Sequence, residues 1–186
     1  MGSILDVISA RRSIRKMTEA PIPEEKLQAV LEAVRLAPSW ANGQCWRLIL
    51  VKDPEKRALI GINASRGDVY RETPLIIVGC ALPEQSGNRH NQAYYLVDMG
   101  IALEHLILEA TAQGLATCWI GIFDEPHIKK VLEIPDPVRV VAMVMIGYPA
   151  QERNPRPRLS MEEIIAVDGW PEDAWKPDKV APVSVH

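Results

Sequence analysis

Apolar residues recur along this chain in two rhythms, and each rhythm predicts a different kind of element. Leu27, Val30, Leu31 and Val34 fall at i, i+3, i+4 and i+7, one face of a helix, so a helix is expected from Glu24 to a stop at Pro38. A longer stripe, Leu96, Met99, Gly100, Leu103, Ile107 and Ala110, predicts a second helix ending near Gly114. Continuous apolar runs replace the stripe in "PLIIVGCA" (74–81), "LATCWIGIF" (115–123) and "VRVVAMVMIGY" (138–148). Such runs are the mark of strands buried on both faces, and "RLILVKD" (47–53) reads as another strand. Short helices are expected at "SILDVISA", where Ser3 and Asp6 have capping-box spacing, after Pro54, over "EPHIKKVLEI" with "PDP" as its stop, and over "SMEEIIAV". The first is expected to run into the arginines at 11–16, and "GNRH" to form a loop. Helices around doubly buried strands make an α/β (α+β) three-layer sandwich. The short links leave parallel and antiparallel pairing open.

A chain of 186 residues is long enough for one domain with a real core. We expect that domain over residues 1–170, followed by a Pro-rich tail over 171–186. A formal net charge of −3 argues against a nucleic-acid partner, and no run of 18 apolar residues suggests a membrane span. The N-terminus lacks the basic-then-apolar order of a signal peptide, so a cytoplasmic protein is expected. Cys45, Cys80 and Cys118 have no metal-ligand spacing and form no disulfide framework. Each adjoins an apolar run, which points to buried, inert thiols.

Against that acidic background "RRSIRK" (11–16) concentrates four cations in six positions. Such a run is ordinarily a solvated face. Arg11, Arg12 and Arg15, with the Ser13 hydroxyl between them, also suit a phosphate, which arginine holds bidentately. Arg156 and Arg158, stiffened by Pro157, form a second basic pair far along the chain. In "PSWANGQCW" (38–46) Ser39, Asn42 and Gln44 follow a helix stop. They read as turn-formers, or as paired donors and acceptors for the edge of a planar heterocycle. Trp40 and Trp46 suit either a core or a stacking surface. Gly121, at the end of a buried strand, makes a bend or lets a backbone amide approach a ligand.

These segments, with "YYLVDMGIALEHL", "GLATCWIG" and "GYPA…RPR", occur in an order that resembles the nitroreductase family of flavin mononucleotide (FMN) oxidoreductases. The resemblance spans roughly residues 3–170 and implies a nitroreductase-like fold, a central mixed β-sheet flanked by helices, in a homodimer with FMN at the interface. It implies that Arg11, Arg12 and Ser13 take phosphate and ribityl contacts, that Arg15 reaches the N1–O2 edge of the isoalloxazine, and that Arg156 and Arg158 join at the phosphate. Ser39, Asn42 and Gln44 would come from the other subunit, Pro38 would pack near the ring, and the backbone at Gly121 and Ile122 would approach N5. Asp98 and Gly100 fall in the dimer-forming helix, which suggests structural roles.

NADH or NADPH would then give a hydride to flavin N5, and a small electron-poor acceptor, a nitroaromatic or quinone, would be reduced in the same slot by a ping-pong mechanism. No side-chain acid or base is needed for the first half, in keeping with four scattered histidines. His105 and His127 read as structural, and His90 as a residue at the pocket mouth. Trp40 and Ile122 stand where the family commonly has smaller residues, so the slot is expected to be reshaped. That feature keeps open a specialised relative (dehalogenase, desaturase or flavin-cleaving enzyme), and a non-catalytic flavin-binding sensor would use the same binding residues.

Overall fold

The computed structural model describes residues 3–62 and 67–171. Two compact units divide the chain, one closing at Arg153 and one opening at Asn154. All but the first residue of the expected 171–186 tail lies outside the described residues.

In the first unit helix α1 (Ile4–Ala10) opens with a capping box in both directions. Asp6 N–H donates to Ser3 Oγ at 3.2 Å, and Ser3 N–H to Asp6 Oδ2 at 2.6 Å. Helix α2 (Glu24–Arg35) has no side-chain cap, but Glu24 and Glu25 in its first turn and Arg35 in its last complement the helix dipole. It stops at Arg35, three residues before Pro38, because the residue preceding a proline is pushed out of the helical region. Strand β1 (Trp46–Val51) leads to α3 (Pro54–Gly61), where the Asp53 carboxylate accepts from Glu55 N–H at 2.8 Å and Pro54 occupies the first turn. Helix α4 (Gly67–Glu72) precedes β2 (Leu75–Ala81), buried over its whole length as its continuous apolar run requires.

Where a loop was expected at "GNRH", a small hairpin forms from β3 (Asn88–Arg89) and β4 (Gln92–Ala93). His90 and Asn91 take φ of 50° and 64°, the two left-handed positions of a tight primed turn. Helix α5 (Tyr94–Ala112) follows, then β5 (Ala116–Ile120), α6 (Glu125–Leu132) and β6 (Arg139–Gly147). The second unit contains α7 (Met161–Ile164).

The sheet has the order β1-β2-β6-β5 and every neighbouring pair is antiparallel. This corrects the expected mixed sheet. Among the described residues the parallel contact is the isolated bridge between Ser13 and Thr117 of β5. Side chains alternate across β2. Leu75, Ile77 and Ala81 join a cluster with Val30 and Val34 of α2 and Met99 and Leu103 of α5. Ile76, Val78 and Cys80 join another with Ile60 of α3, Tyr70 of α4 and Ile128 of α6. Helices thus cover both faces of an α+β fold. All three cysteines are buried, and burial pushes the Cys80 thiol up to about 11. Among the described residues no helix is long and apolar enough to cross a membrane.

Candidate functional site

The arginine segment does not continue α1. Arg11 still donates its backbone N–H to Val7 O at 3.0 Å but turns to ψ 129°, and the chain runs on extended. Its new partners are distant in sequence. Ile14 N–H donates to Thr117 O at 2.9 Å, Ala150 N–H to Lys16 O at 3.0 Å, and Thr18 N–H to Tyr148 O at 2.9 Å. Ile14 packs on the second cluster, and the period of an extended chain sends Ser13 and Arg15 to the other side. The helix expected to run into the arginines therefore ends at Ala10, because these long-range bonds hold the segment against Thr117 of β5 and the chain that follows β6.

Two guanidiniums there rest on backbone oxygens. Arg12 Nη1 donates to Ser9 O at 2.6 Å and Arg11 O at 2.8 Å, and Arg153 Nη1 donates to Ser13 O at 3.2 Å. A hollow of about 620 Å³ opens among Arg12, Ile14, Pro149, Ala150, Glu152 and Arg153. Among the described residues, none of Arg11, Arg12, Arg15 and Arg153 forms an ion pair with a carboxylate. Burial raises the Glu104 carboxyl against the opposing pull of Arg11 and His105. Clustered cations without carboxylate partners suit a dianionic phosphate. Gly121 and Ile122 follow β5 at the same edge, and both are exposed. A Cβ at Gly121 would meet only the Trp119 indole, at the ordinary contact distance of 3.6 Å. The chain's own packing therefore leaves the Gly121 backbone open to a ligand.

The second array lies at the opposite edge, ahead of β1. Ser39 Oγ accepts Gln44 N–H at 2.9 Å, and Gln44 Nε2 donates to Asn42 O at 3.1 Å. Ala41, Asn42 and Gln44 all have positive φ, of 46°, 58° and 48°. Three consecutive-but-one left-handed residues without glycine store strain of about 1–3 kcal/mol each, a feature of functional loops. Pro38, Asn42 and Gln44 are exposed. Trp40 is half-buried, its ring 4.4 Å from that of Tyr94 and tilted by 45°. It lies flat over Gly87, where an added Cβ would come within 2.4 Å of Cε2.

Asp98 on α5, only 2% exposed, holds this loop from below. Its Oδ1 accepts Trp40 N–H at 2.8 Å, and its Oδ2 accepts the Ser86 hydroxyl at 2.7 Å and the Cys45 thiol at 3.5 Å. Burial, then the Asp98 charge, pushes the Cys45 thiol up to about 11, so it stays protonated. Ser86 and Arg153 carried no signal in the sequence, and Gly87 and Tyr94 carried one only as the first residues of "GNRH" and "YYLVDMGIALEHL". Asp98 did carry one, through its place in the segment that resembles the family's dimer-forming helix.

The remaining candidates divide. His90 sits exposed at the hairpin tip. His105 Nδ1 lies 3.3 Å from Ala33 O and His127 Nε2 lies 2.8 Å from Leu59 O, so each ring binds a backbone carbonyl. Arg156 and Arg158 are exposed in the second unit, with Arg158 Nη1 donating to Pro157 O at 3.4 Å. Within the first unit, β1 and β5 are separated by two strands. With strands about 4.8 Å apart, the two edges stand about 14 Å from each other.

A family model described as the nitroreductase family matches residues 8–65 and 61–148. The chain belongs to the nitroreductase family. It is 30% identical over 198 residues to an NADH dehydrogenase of Thermus thermophilus, covering 87% of this chain and 96% of that protein. An FMN reductase [NAD(P)H] of Bacillus subtilis is 29% identical over 181 residues, covering 88% of this chain and 73% of the relative. The crystal structure of a nitroreductase family protein from Clostridium novyi superposes with a TM-score of 0.76 at 35% identity, covering 80% of this nitroreductase and 86% of that chain.

Proposed function

We propose that this nitroreductase is an NAD(P)H-dependent flavin oxidoreductase that works as a homodimer with FMN between its subunits. The observation that carries the reading is the separation of its two arrays. The arginine segment with Gly121 and Ile122 stands at one sheet edge, and the Pro38–Gln44 loop at the other. Each is half of a flavin site, and a two-fold partner supplies the complement. Apolar side chains left in water support a partner. Ile4 is 77% and Leu5 68% exposed on α1, and Leu96 and Val97 are exposed on α5, against which α1 packs. The apolar clusters on both sheet faces support the three-layer packing.

When bound, FMN supplies hydride acceptance from NADH or NADPH and reduction of an electron-poor acceptor, a nitroaromatic or quinone, in alternating half-reactions. The chain's residues bind and polarise. Arg11, Arg12 and Ser13 take the phosphate end. Arg15 sets a fixed positive charge where reduction deposits negative charge, which needs no reorganisation during the reaction. Backbone groups at Gly121 and Ile122 approach the ring. Ser39, Asn42 and Gln44 read its polar edge, with Pro38 against the ring. Trp40 and His90 form the acceptor side, where Trp40 narrows the slot.

Visible absorbance tests this reading. The purified protein is expected to be yellow, or to become so with FMN, and to bleach without oxygen when NADH or NADPH is added. A protein that stays colourless in excess FMN would overturn it.

A further inference from the structure

Asp98 on α5 joins two segments, the loop before β1 and the foot of the β3–β4 hairpin. Its carboxylate accepts from the Trp40 backbone in the loop before β1, from the Ser86 hydroxyl at the foot of the β3–β4 hairpin, and from the Cys45 thiol at the entry to β1. The same two segments meet again above it. Trp40 lies on Gly87 and against Tyr94, and Tyr94 N–H donates to Gly87 O at 2.9 Å. Arg47 adds a third tie, with Nη1 on Gln44 O at 3.1 Å and Nη2 on Gln85 Oε1 at 3.2 Å. The loop of Asn42 and Gln44 and the hairpin tipped by His90 are therefore one body, fastened by a buried carboxylate that touches neither flavin-reading side chain.

We infer that Asp98 is a positioning residue that locks the 39–45 loop to the hairpin, so that the strained loop is already in its flavin-reading shape before FMN arrives. The inference rests on the proposed function, in which that loop reads the flavin. Its physical basis is pre-organisation. Three non-glycine residues in left-handed backbone would relax in solution if left untied, and restoring them on binding would weaken affinity. The carboxylate matters because it accepts from two strong donors at once. An asparagine in its place presents one acceptor and one donor, so Trp40 N–H or the Ser86 hydroxyl loses its partner or must turn.

The test is FMN titration of the full chain, wild type, Asp98→Asn and Ser86→Ala, well below each protein's melting temperature. Asp98→Asn is expected to raise the FMN Kd about tenfold and Ser86→Ala about threefold, with kcat returning to the wild-type value when FMN is saturating. A purely structural carboxylate predicts another pattern, in which melting temperatures fall while the Kd stays within twofold of wild type. That pattern would overturn the inference. If Asp98→Asn does not fold, Ser86→Ala decides, since it leaves the Trp40 bond intact. An unchanged Kd there overturns the inference, and a raised one supports it. Wild type that binds FMN beside variants that bind equally well removes only the role of Asp98. Wild type that does not bind FMN removes this role and the flavin reading together.

Discussion

Arg11 and Arg15 differ from the other charged side chains of this chain in what surrounds them. Arg35 grips Glu32 at 2.6 Å and Arg71 grips Glu55 at 2.6 Å, each a surface pair that satisfies its own charge. Arg11 and Arg15 are half-buried and, among the described residues, neither donates a side-chain hydrogen bond nor forms an ion pair. A half-buried cation with no hydrogen-bond partner of its own suits an anion that completes it. A charge-assisted contact is worth about 1.5–3 kcal/mol, so Arg11→Ala or Arg15→Ala should weaken FMN binding roughly ten- to a hundredfold. Removing the exposed Lys56 should change it less than twofold, because a solvated cation on α3 has only screened access to the site. Flavin fluorescence titrations at fixed ionic strength make the comparison, and equal, small effects would return the arginines to the solvated face such runs usually form. The grouping of these residues was legible in the sequence, because residue type and order carry it. Their backbone was not. Helix α1 is capped by neighbours three residues apart, but its end is imposed by Thr117, a hundred residues on, and no local pattern records that bond.

Elements were legible where burial is total. The runs at 74–81 and 138–148 became Leu75–Ala81 and Arg139–Gly147 because a strand covered on both faces has only apolar choices. Strand direction was not, since it depends on how links cross the sheet, and all three pairs proved antiparallel. The hairpin at His90–Asn91 was hidden by its lack of glycine at both left-handed positions. Charge, too, works at this scale. Glu125, in the first turn of α6, accepts Arg139 Nε at 2.9 Å and Val140 N–H at 2.8 Å, and so ties α6 to the start of β6. The Arg139 hydrogen bonds, helped by Val140 N–H and by the charges of Arg139 and Lys129, hold its carboxyl below the usual carboxylate range. A carboxyl lowered by folding stabilises the native state above its unfolded pKa, and that contribution fades as pH falls through the folded one. The pair reaches solvent, so Glu125→Gln should cost only about 0.5–1 kcal/mol at neutral pH, or about 1–4 °C in melting temperature. The two melting curves should converge in acid, below the ordinary carboxylate range. A difference that persists there would assign the effect to packing rather than charge.

At the scale of the whole molecule the proposed function treats the two arrays as halves of one site that different subunits bring together. The arginine edge and the loop edge lie at opposite ends of the sheet, across β2 and β6, and in the proposed function each is completed by the partner subunit. Two variants separate this arrangement from a site built within one subunit. One carries Arg11→Ala with Arg15→Ala and lacks the cationic half; the other carries Asn42→Ala with Gln44→Ala and lacks the loop half. Each alone should bind FMN poorly at both of its sites. Unfolded together, refolded and allowed to exchange, they form mixed dimers in which one site inherits both damaged halves and the other inherits both intact ones. With random pairing half of the dimers are mixed, so about a quarter of all sites should recover wild-type affinity. Flavin retained after desalting, counted per chain by absorbance, measures that fraction directly. A site formed within one subunit predicts no recovery at any mixing ratio, because every chain carries a lesion. Recovery near a quarter, rising and falling with the proportion of mixed dimers, would show that the separation of the two edges is how this nitroreductase makes its cofactor site depend on its partner.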